Sequence, residues 1–174
     1  MRLGLSQDQQ QVPTRSASDI MPPPTVSPTT KEIPYDYVAK FTLKGERGNR
    51  VQDVINISIE GGFVAVAIGY SFIPPRPNEG PTIINDRGID FTYSIVDSGS
   101  GRELQNRPIH NIAGLGEATG RRPFRPLAKP MLFMPRSTIR IEVEEISEAP
   151  VHKNAELFIV LHGYKILGYG TGLS

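Results

Sequence analysis

The sequence predicts an all-β protein, a β-sandwich of jelly-roll type, that carries an extended proline-rich arm at its N-terminus. Three observations lead to this prediction. Several segments alternate apolar and polar residues with a period of two, which is the pattern of half-buried strands. Turn signals rich in glycine and proline separate these segments, and none of them has a helical period with caps. Residues 1–34 contain six prolines and no aromatic residue.

Residues 1–34 form the predicted arm. Its three basic residues are balanced by three acidic ones, and Ser, Thr and Gln fill much of the remainder. Such a segment cannot bury enough apolar area to offset its own ordering entropy, and its run of three prolines favours polyproline II. We therefore expect the arm to become ordered against a neighbouring subunit. The predicted interface residues of the arm are Val12, Ile20, Met21, Pro22, Pro23, Pro24, Val26 and Ile33.

The predicted β-domain spans residues 35–168, and residues 169–174 are expected to form a flexible C-terminal tail. Residues 36–43 alternate as a half-buried strand does. Residues 51–60 alternate in the same way and end in a turn with glycines, so we expect a β-hairpin with the apolar segment 63–72. That second segment is apolar on both faces, which is typical of a central strand.

The second half of the domain begins after a long proline-containing loop. An alternating strand is predicted up to residue 97, and residues 113–136 are expected to be irregular because glycines and then prolines interrupt them. Residues 137–146 alternate very regularly, with Ile139, Ile141 and Val143 predicted to point inward. The last strand, 155–168, is apolar on both sides.

Composition excludes several functional classes. The formal net charge is +1, from 19 basic and 18 acidic residues, which gives no basic surface for nucleic acid or for an anionic membrane. The absence of cysteine excludes disulfides and cysteine-ligated zinc. No signal-peptide core and no apolar run of about 20 residues are present. We therefore expect synthesis in a cytoplasm, without export by a cleaved signal, and no membrane partner.

No arrangement of residues predicts catalysis. His110, His152 and His162 lie outside any metal-ligand spacing, and no nucleophilic-serine motif occurs. The glycine-rich stretch 114–120 is followed by prolines instead of the helix that a phosphate loop requires. The carboxylates of Glu142, Glu144, Glu145 and Glu148 are expected on a solvated strand face or in salt bridges. The prediction is a protein that is not an enzyme, with no catalytic, metal-binding or cofactor-binding residues.

A small basic cluster precedes the last two strands. It consists of Arg121, Arg122 and Arg125, and Lys129 extends it. The predicted interface residues of this loop are Arg121, Arg122, Phe124 and Arg125. Arginine is enriched at protein interfaces, where its guanidinium can meet carboxylates in bidentate fashion. A solvent-exposed loop without a partner is the alternative interpretation.

Two long stretches give the chain a family resemblance. GLGEATGRRPFRPLAKPMLFMPRSTIRIEVEEIS, followed by LFIVLHGYKILG, resembles the C-terminal half of small structural proteins in virions of tailed bacteriophages. FTLKGERGNRVQDVINISIEGGFVAVAIGYSF is similar to the same group, so that the resemblance covers residues 36–168. The resemblance lies in the residue composition and the order of the segments, without a diagnostic motif, and it transfers no catalytic residue.

The resemblance implies a virion protein that assembles in the bacterial host cytoplasm. Its partners would be further copies of itself and other virion proteins of the capsid, portal, neck or tail. A collar or neck position between head and tail is the first hypothesis, and a capsid decoration or head-fibre base protein is the second. A carbohydrate-binding β-sandwich, with Tyr35, Tyr70 and Tyr169 as aromatic platforms, is a third, and a β-barrel enzyme using His110 or His162 is a fourth.

Overall fold

The computed structural model describes residues 30–75, 89–115 and 123–168. The elements of these ranges, apart from a 3₁₀ turn at Pro150–His152, are β1 (Lys31–Thr42), β2 (Arg50–Asn56), β3 (Gly61–Ile73), β4 (Phe91–Asp97), β5 (Arg102–Glu103), β6 (Ile109–His110), α1 (Asn111–Gly114), β7 (Phe124–Phe133), β8 (Thr138–Glu145) and β9 (Glu156–Leu167). Sheet A has the strand order β1-β9-β3-β7. Sheet B has the order β2-β8-β4-β5, and β6 also pairs with β4.

The strand pairs are nested along the chain. Strand β1 pairs with β9, β2 with β8, β3 with β7 and β4 with β5, all antiparallel. Successive pairs of this nest fall alternately in sheet A and sheet B, which is the arrangement of a jelly roll. The predicted fold class, an all-β sandwich of jelly-roll type, is confirmed.

The core lies between the inner faces of the two sheets. Strand β8 follows its predicted alternation, since Ile139, Ile141 and Val143 are at most 1% exposed. Burying one such side chain contributes about 1.5–3 kcal/mol, so these inward positions fix which face of each strand meets the core. The largest fully buried side chains from both sheets include Phe63, Phe91, Phe133, Ile139, Ile141, Leu157 and Ile159.

The predicted hairpin of residues 51–72 is wrong, because β2 and β3 belong to different sheets. The link between them crosses the sandwich: Ile57 still donates its amide to Ser137 before β8, whereas the carbonyl of Glu60 accepts from Gly168 after β9. At the start of β3, a Cβ on Gly61 would lie 2.1 Å from the Ile166 carbonyl oxygen. The glycine is therefore needed for the close approach to β9, and not for a hairpin turn.

The prediction that residues 113–136 are irregular is also wrong in part, because β7 occupies residues 124–133. Among the described strands, β7 is an edge strand of sheet A and pairs only with β3. Its pairing jumps from Pro126 opposite Ala67 to Met131 opposite Ala65, so residues 127–130 bulge out of the ladder opposite Val66. Prolines lack the amide hydrogen, and edge strands and bulges are the places where a sheet tolerates them.

Strand β1 begins at Lys31, ahead of the predicted domain start at Tyr35. Pro34 fits within it because β1 is the other edge strand of sheet A. The predicted arm residue Ile33 therefore lies in this sheet, half-buried and opposite Lys165 of β9. The other predicted arm residues lie outside the described part of the chain.

Candidate assembly surface

The outer face of sheet A, which is the side turned away from sheet B, carries two apolar rows that run across its four strands. Val38 and Leu132, one from each row, are 48% and 41% exposed. The first row consists of Pro34, Tyr164, Val64 and Leu132, and the second of Val38, Val160, Gly69 and Phe124.

An antiparallel sheet with one solvated face normally alternates apolar inward residues with polar outward ones. The central strands β3 and β9 do not, since they carry Val64, Val160 and Tyr164 outward. Apolar residues that are exposed together on one face of a domain are typical of interaction sites. The outer face of sheet A is therefore the surface of this domain that is best suited to contact another protein.

A polar pair lies between the two apolar rows. His162 of β9 and Asp36 of β1 are directly opposite in the ladder, with 2.7 Å between Nδ1 of His162 and Oδ1 of Asp36. The imidazole ring also lies 5.0 Å from the Phe124 ring, centroid to centroid, at an angle of 30°. The sequence predicts a packed or hydrogen-bonded sheet histidine, and the geometry is that of a hydrogen-bonded one. About half of each side chain is exposed, so the pair adds little stability by itself.

The predicted loop interface is divided by β7. Phe124 points to the outer face, where its ring lies over Gly69 and beside His162. Arg125 is opposite Ile68 and therefore points to the inner side of sheet A, at its open edge. Arg121 and Arg122 lie outside the described residues. Of the two predicted residues that the structure describes, Phe124 belongs to the outer face of sheet A and Arg125 does not.

The outer face of sheet B is mainly polar, although Val54 is exposed on it. The carboxylate of Glu144 lies 2.9 Å from the guanidinium of Arg50, and that of Glu142 lies 3.4 Å from Arg140. Thr92 and Ser94 line the same shallow depression, which has a volume of about 370 Å³. Because each carboxylate has a guanidinium neighbour, this face is a solvated, charge-balanced surface, as predicted for Glu142 and Glu144.

Glu145 departs from the prediction for the carboxylate cluster, because it is 2% exposed. Its carboxylate accepts hydrogen bonds from the amides of Lys44 and Gly45, at 2.9 and 2.7 Å, and from the side-chain amide of Asn49 at 2.6 Å. These bonds hold the loop between β1 and β2. The signal was present in the sequence, since residue 145 has the same parity as Ile139, Ile141 and Val143 and therefore points inward.

The other two histidines are structural. Nδ1 of His110 accepts from the amide of Ile112 at the start of α1. The ring of His152 packs edge-on against Phe72 at 5.0 Å, and its Nδ1 is buried without a hydrogen-bond partner in the described structure. Burial lowers the pKa of His152, although the Glu145 carboxylate acts in the opposite direction. Within residues 30–75, 89–115 and 123–168, no three His, Asp or Glu side chains are grouped as metal ligands.

Comparison with known proteins adds little to this geometry. No protein-family model matches the chain, and no curated protein matches it in sequence. A solved structure titled Desmodium yellow mottle tymovirus aligns with 90% of this chain and 100% of its own, at 13% identity and a TM-score of 0.28. A superposition this loose carries no argument about fold or function. In the described residues, no helix has the length and apolar content needed to cross a membrane.

Sequence reasoning missed the exposed apolar residues of the outer face. Val38 interrupts the polar side of β1, between Asp36 and Lys40, and Leu132 lies in a segment that was predicted to be irregular. The last strand was predicted to be apolar on both sides, without an interpretation of this pattern. It could have indicated a second packing partner, because one face of β9 meets the core and the other carries the apolar rows.

Proposed function

We propose that this chain is a non-enzymatic structural subunit of a tailed-phage virion. It would occupy the collar or neck and assemble through its N-terminal arm and the outer face of sheet A. The observation that carries the proposal is the pair of apolar rows on that face, in which Pro34, Val38 and Leu132 are exposed. A domain acting alone would not need these residues at its surface. The jelly-roll fold agrees with it, since capsid proteins use this fold, although lectins and cupins do so as well.

The arm and the outer face of sheet A would contribute to the free energy of association in different ways. The sheet face offers a rigid surface that loses little entropy when a partner covers it. The arm, residues 1–29 ahead of β1, would lose conformational entropy on binding and remove area from water on its partner. Other virion proteins and further copies of this chain are the proposed partners. A capsid decoration or head-fibre base protein is the second candidate, and the location of the chain in particles by electron microscopy separates the two.

Two valines provide a matched test of the outer face of sheet A. Val38 on this face and Val54 on the outer face of sheet B are 48% and 45% exposed, and both lie on edge strands. We expect Val38→Glu to reduce oligomerisation, measured by light scattering, and incorporation into particles, while Val54→Glu leaves both unchanged. Unfolding by urea checks that both variants keep wild-type stability. Equal behaviour of the two variants would remove the basis of the proposal.

Deletion of residues 1–29 tests the arm separately. The deletion ends before Lys31, so it removes no paired residue of β1. The shortened protein should keep its unfolding midpoint but fail to enter particles. Normal incorporation would show that the arm is dispensable for assembly.

The carbohydrate-binding alternative finds less support among the tyrosines named for it. Tyr35 is engaged by Lys165, and the Tyr70 ring packs edge-on against Phe91 at 5.4 Å. Tyr169 lies outside the described residues. Saturable binding on a glycan array would favour this alternative over a purely structural role.

A further inference from the structure

A cleft of about 230 Å³ opens between the two sheets on the side where β7 is the edge strand. One wall is the bulge of β7, and the opposite wall is the segment from β5 to α1. Core residues from β3, β4 and β9 form its floor. The apolar side chains that line it include Ile68, Ile95, Leu104, Leu127, Met131 and Leu161.

The bulge forms one wall of this cleft. Four residues, 127–130, stand opposite the single residue Val66, and Leu127 and Ala128 of this bulge line the cleft. Leu127 and Met131 pack partly against the core, and no side chain among the described residues fills the space beside them. Protein interiors are close-packed, and an apolar opening of this size next to the core is a place for an apolar side chain from elsewhere.

The cleft has one positive charge at its rim. Arg125 lines it and lies near enough to Tyr93 for its charge to favour the phenolate, against the burial that raises the pKa of Tyr93. No carboxylate in the described ranges forms an ion pair with Arg125, while Arg50 and Arg140 each have one. An occupant that joins apolar side chains to a carboxylate would therefore complement the cleft.

Residues 1–29 contain one segment of this kind. Asp19 is followed directly by Ile20 and Met21, and these two are the only adjacent pair of large apolar residues in the arm. The other acidic residue of these 29, Asp8, stands between glutamines. Asp19, Ile20 and Met21 thus combine the carboxylate and the apolar side chains that the cleft lacks.

We propose that the cleft beside Arg125 binds the segment Asp19-Ile20-Met21 from a neighbouring copy of this chain. Ile20 and Met21 would enter the cleft, and Asp19 would pair with the guanidinium at its rim. The inference rests on the proposed assembly through the arm, and it names the surface that receives the arm.

The proposed assembly through the arm favours a neighbouring copy over the same chain. The register places the row of Tyr37, Leu161, Ile68 and Arg125 six residues along β1 from Lys31 and three strands across. These steps are about 20 Å and about 14 Å, which makes about 24 Å in a straight line. The chain from Asp19 to Lys31 as polyproline II spans about 37 Å. Length alone therefore permits either source, and the trapping experiment distinguishes them.

Because the chain has no cysteine, disulfide trapping in the full-length protein gives a direct test. A tagged Met21→Cys chain and an untagged Ala128→Cys chain are mixed and oxidised, and the mixed dimer is measured by mass. We expect the yield of mixed dimer to be at least about fivefold higher than in two control mixtures. In the first control, Val12→Cys replaces Met21→Cys. In the second, Ser94→Cys on the outer face of sheet B replaces Ala128→Cys. Equal yields would overturn the proposal. In a chain carrying both substitutions, a disulfide formed only within the chain would also overturn it.

A charge exchange tests the proposed ion pair. Asp19→Arg alone and Arg125→Asp alone should each reduce the mixed-dimer yield about fivefold, and a mixture that carries both changes on opposite partners should restore it. No loss in the single variants contradicts the pairing. Particle incorporation is measured in parallel. Trapping without incorporation would mean that the cleft contact exists and the virion role fails. Incorporation without trapping would mean that the chain is a virion protein and that the cleft does not bind this segment.

Discussion

The ammonium nitrogen of Lys165 lies 3.6 Å from the centroid of the Tyr35 ring and 5.4 Å from that of Tyr37. Lys165 is 7% exposed and belongs to the inner face of β9. In the part of the chain that the structure describes, no carboxylate forms a salt bridge with it. The two rings therefore provide its electrostatic stabilisation, and in doing so they hold the start of β1 against β9.

Replacing Lys165 by Met tests this contact. The thioether side chain keeps most of the apolar stem but loses the charge over the rings, so we expect the free energy of unfolding to fall by about 1–2 kcal/mol. Chemical denaturation measures it. The control Lys129→Met, at an exposed position of the β7 bulge, should change stability by less than about 0.5 kcal/mol. A Lys165→Met variant as stable as wild type would show that the cation–π contact contributes nothing.

Glu145→Gln should destabilise the domain by about 2–3 kcal/mol. The substitution removes the charge that strengthens three hydrogen bonds. It also replaces one accepting oxygen by an NH₂ group, which would face N–H donors without being able to accept from them. Its neighbour Glu144 provides a matched control, because that carboxylate is partly exposed and its salt-bridge partner among the described residues is Arg50. Glu144→Gln should cost less than about 1 kcal/mol. Similar losses in both variants would mean that Glu145 does not organise the loop between β1 and β2.

Gly163→Ala should be among the most damaging single-methyl changes in this domain. A Cβ at Gly163 would lie 1.9 Å from the carbonyl oxygen of Val64, which is backbone and cannot rotate away. We expect a loss of at least about 3 kcal/mol. At Gly101 a Cβ would meet nothing within 4 Å, and only its φ of +66° opposes alanine. Gly101→Ala should therefore cost about 1 kcal/mol, and thermal unfolding of the two variants measures the difference.

Stability should decline in mild acid because of His152. Its folded-state pKa is lowered from 6.5, mainly by burial. The neutral ring therefore contributes stability that is present above about pH 6.5 and is lost as the pH falls below it, because the unfolded chain takes up the proton first. His152→Gln should flatten the dependence of the unfolding free energy on pH between about pH 7.5 and about pH 5. An unchanged slope would show that another group is responsible.

The inward residues of single strands could be predicted from the sequence, because a strand with one buried face repeats every two residues. In β8 this pattern identified Ile139, Ile141 and Val143. The same parity assigns Glu145 to the core, but a carboxylate contradicts the expectation for a buried position unless its partners are known. Those partners, Lys44, Gly45 and Asn49, are about 100 residues earlier in the chain, and no local pattern connects them.

The pairing of strands could not be predicted from the local apolar pattern of the sequence. An apolar segment after Glu60 predicts a strand, but whether Gly61 begins a hairpin or a crossing between sheets depends on whether β2 or β9 lies beside it. Strand β7 was missed because its prolines disfavour a central strand, and only its position at the edge of sheet A makes Pro126 acceptable. The cleft beside Arg125 depends on the same bulge and was therefore equally hidden.

Lys31 and Leu167 are paired at one end of the β1–β9 ladder, so the chain enters and leaves the described domain side by side. A tensile load between these two points would act across the strands, along the hydrogen bonds, and would break them one after another. Sequential unzipping of this kind needs less force than shearing all the bonds together. Tension on the ends would therefore peel β1 away first, whereas pressure spread over the sheet faces would be carried by the whole sandwich.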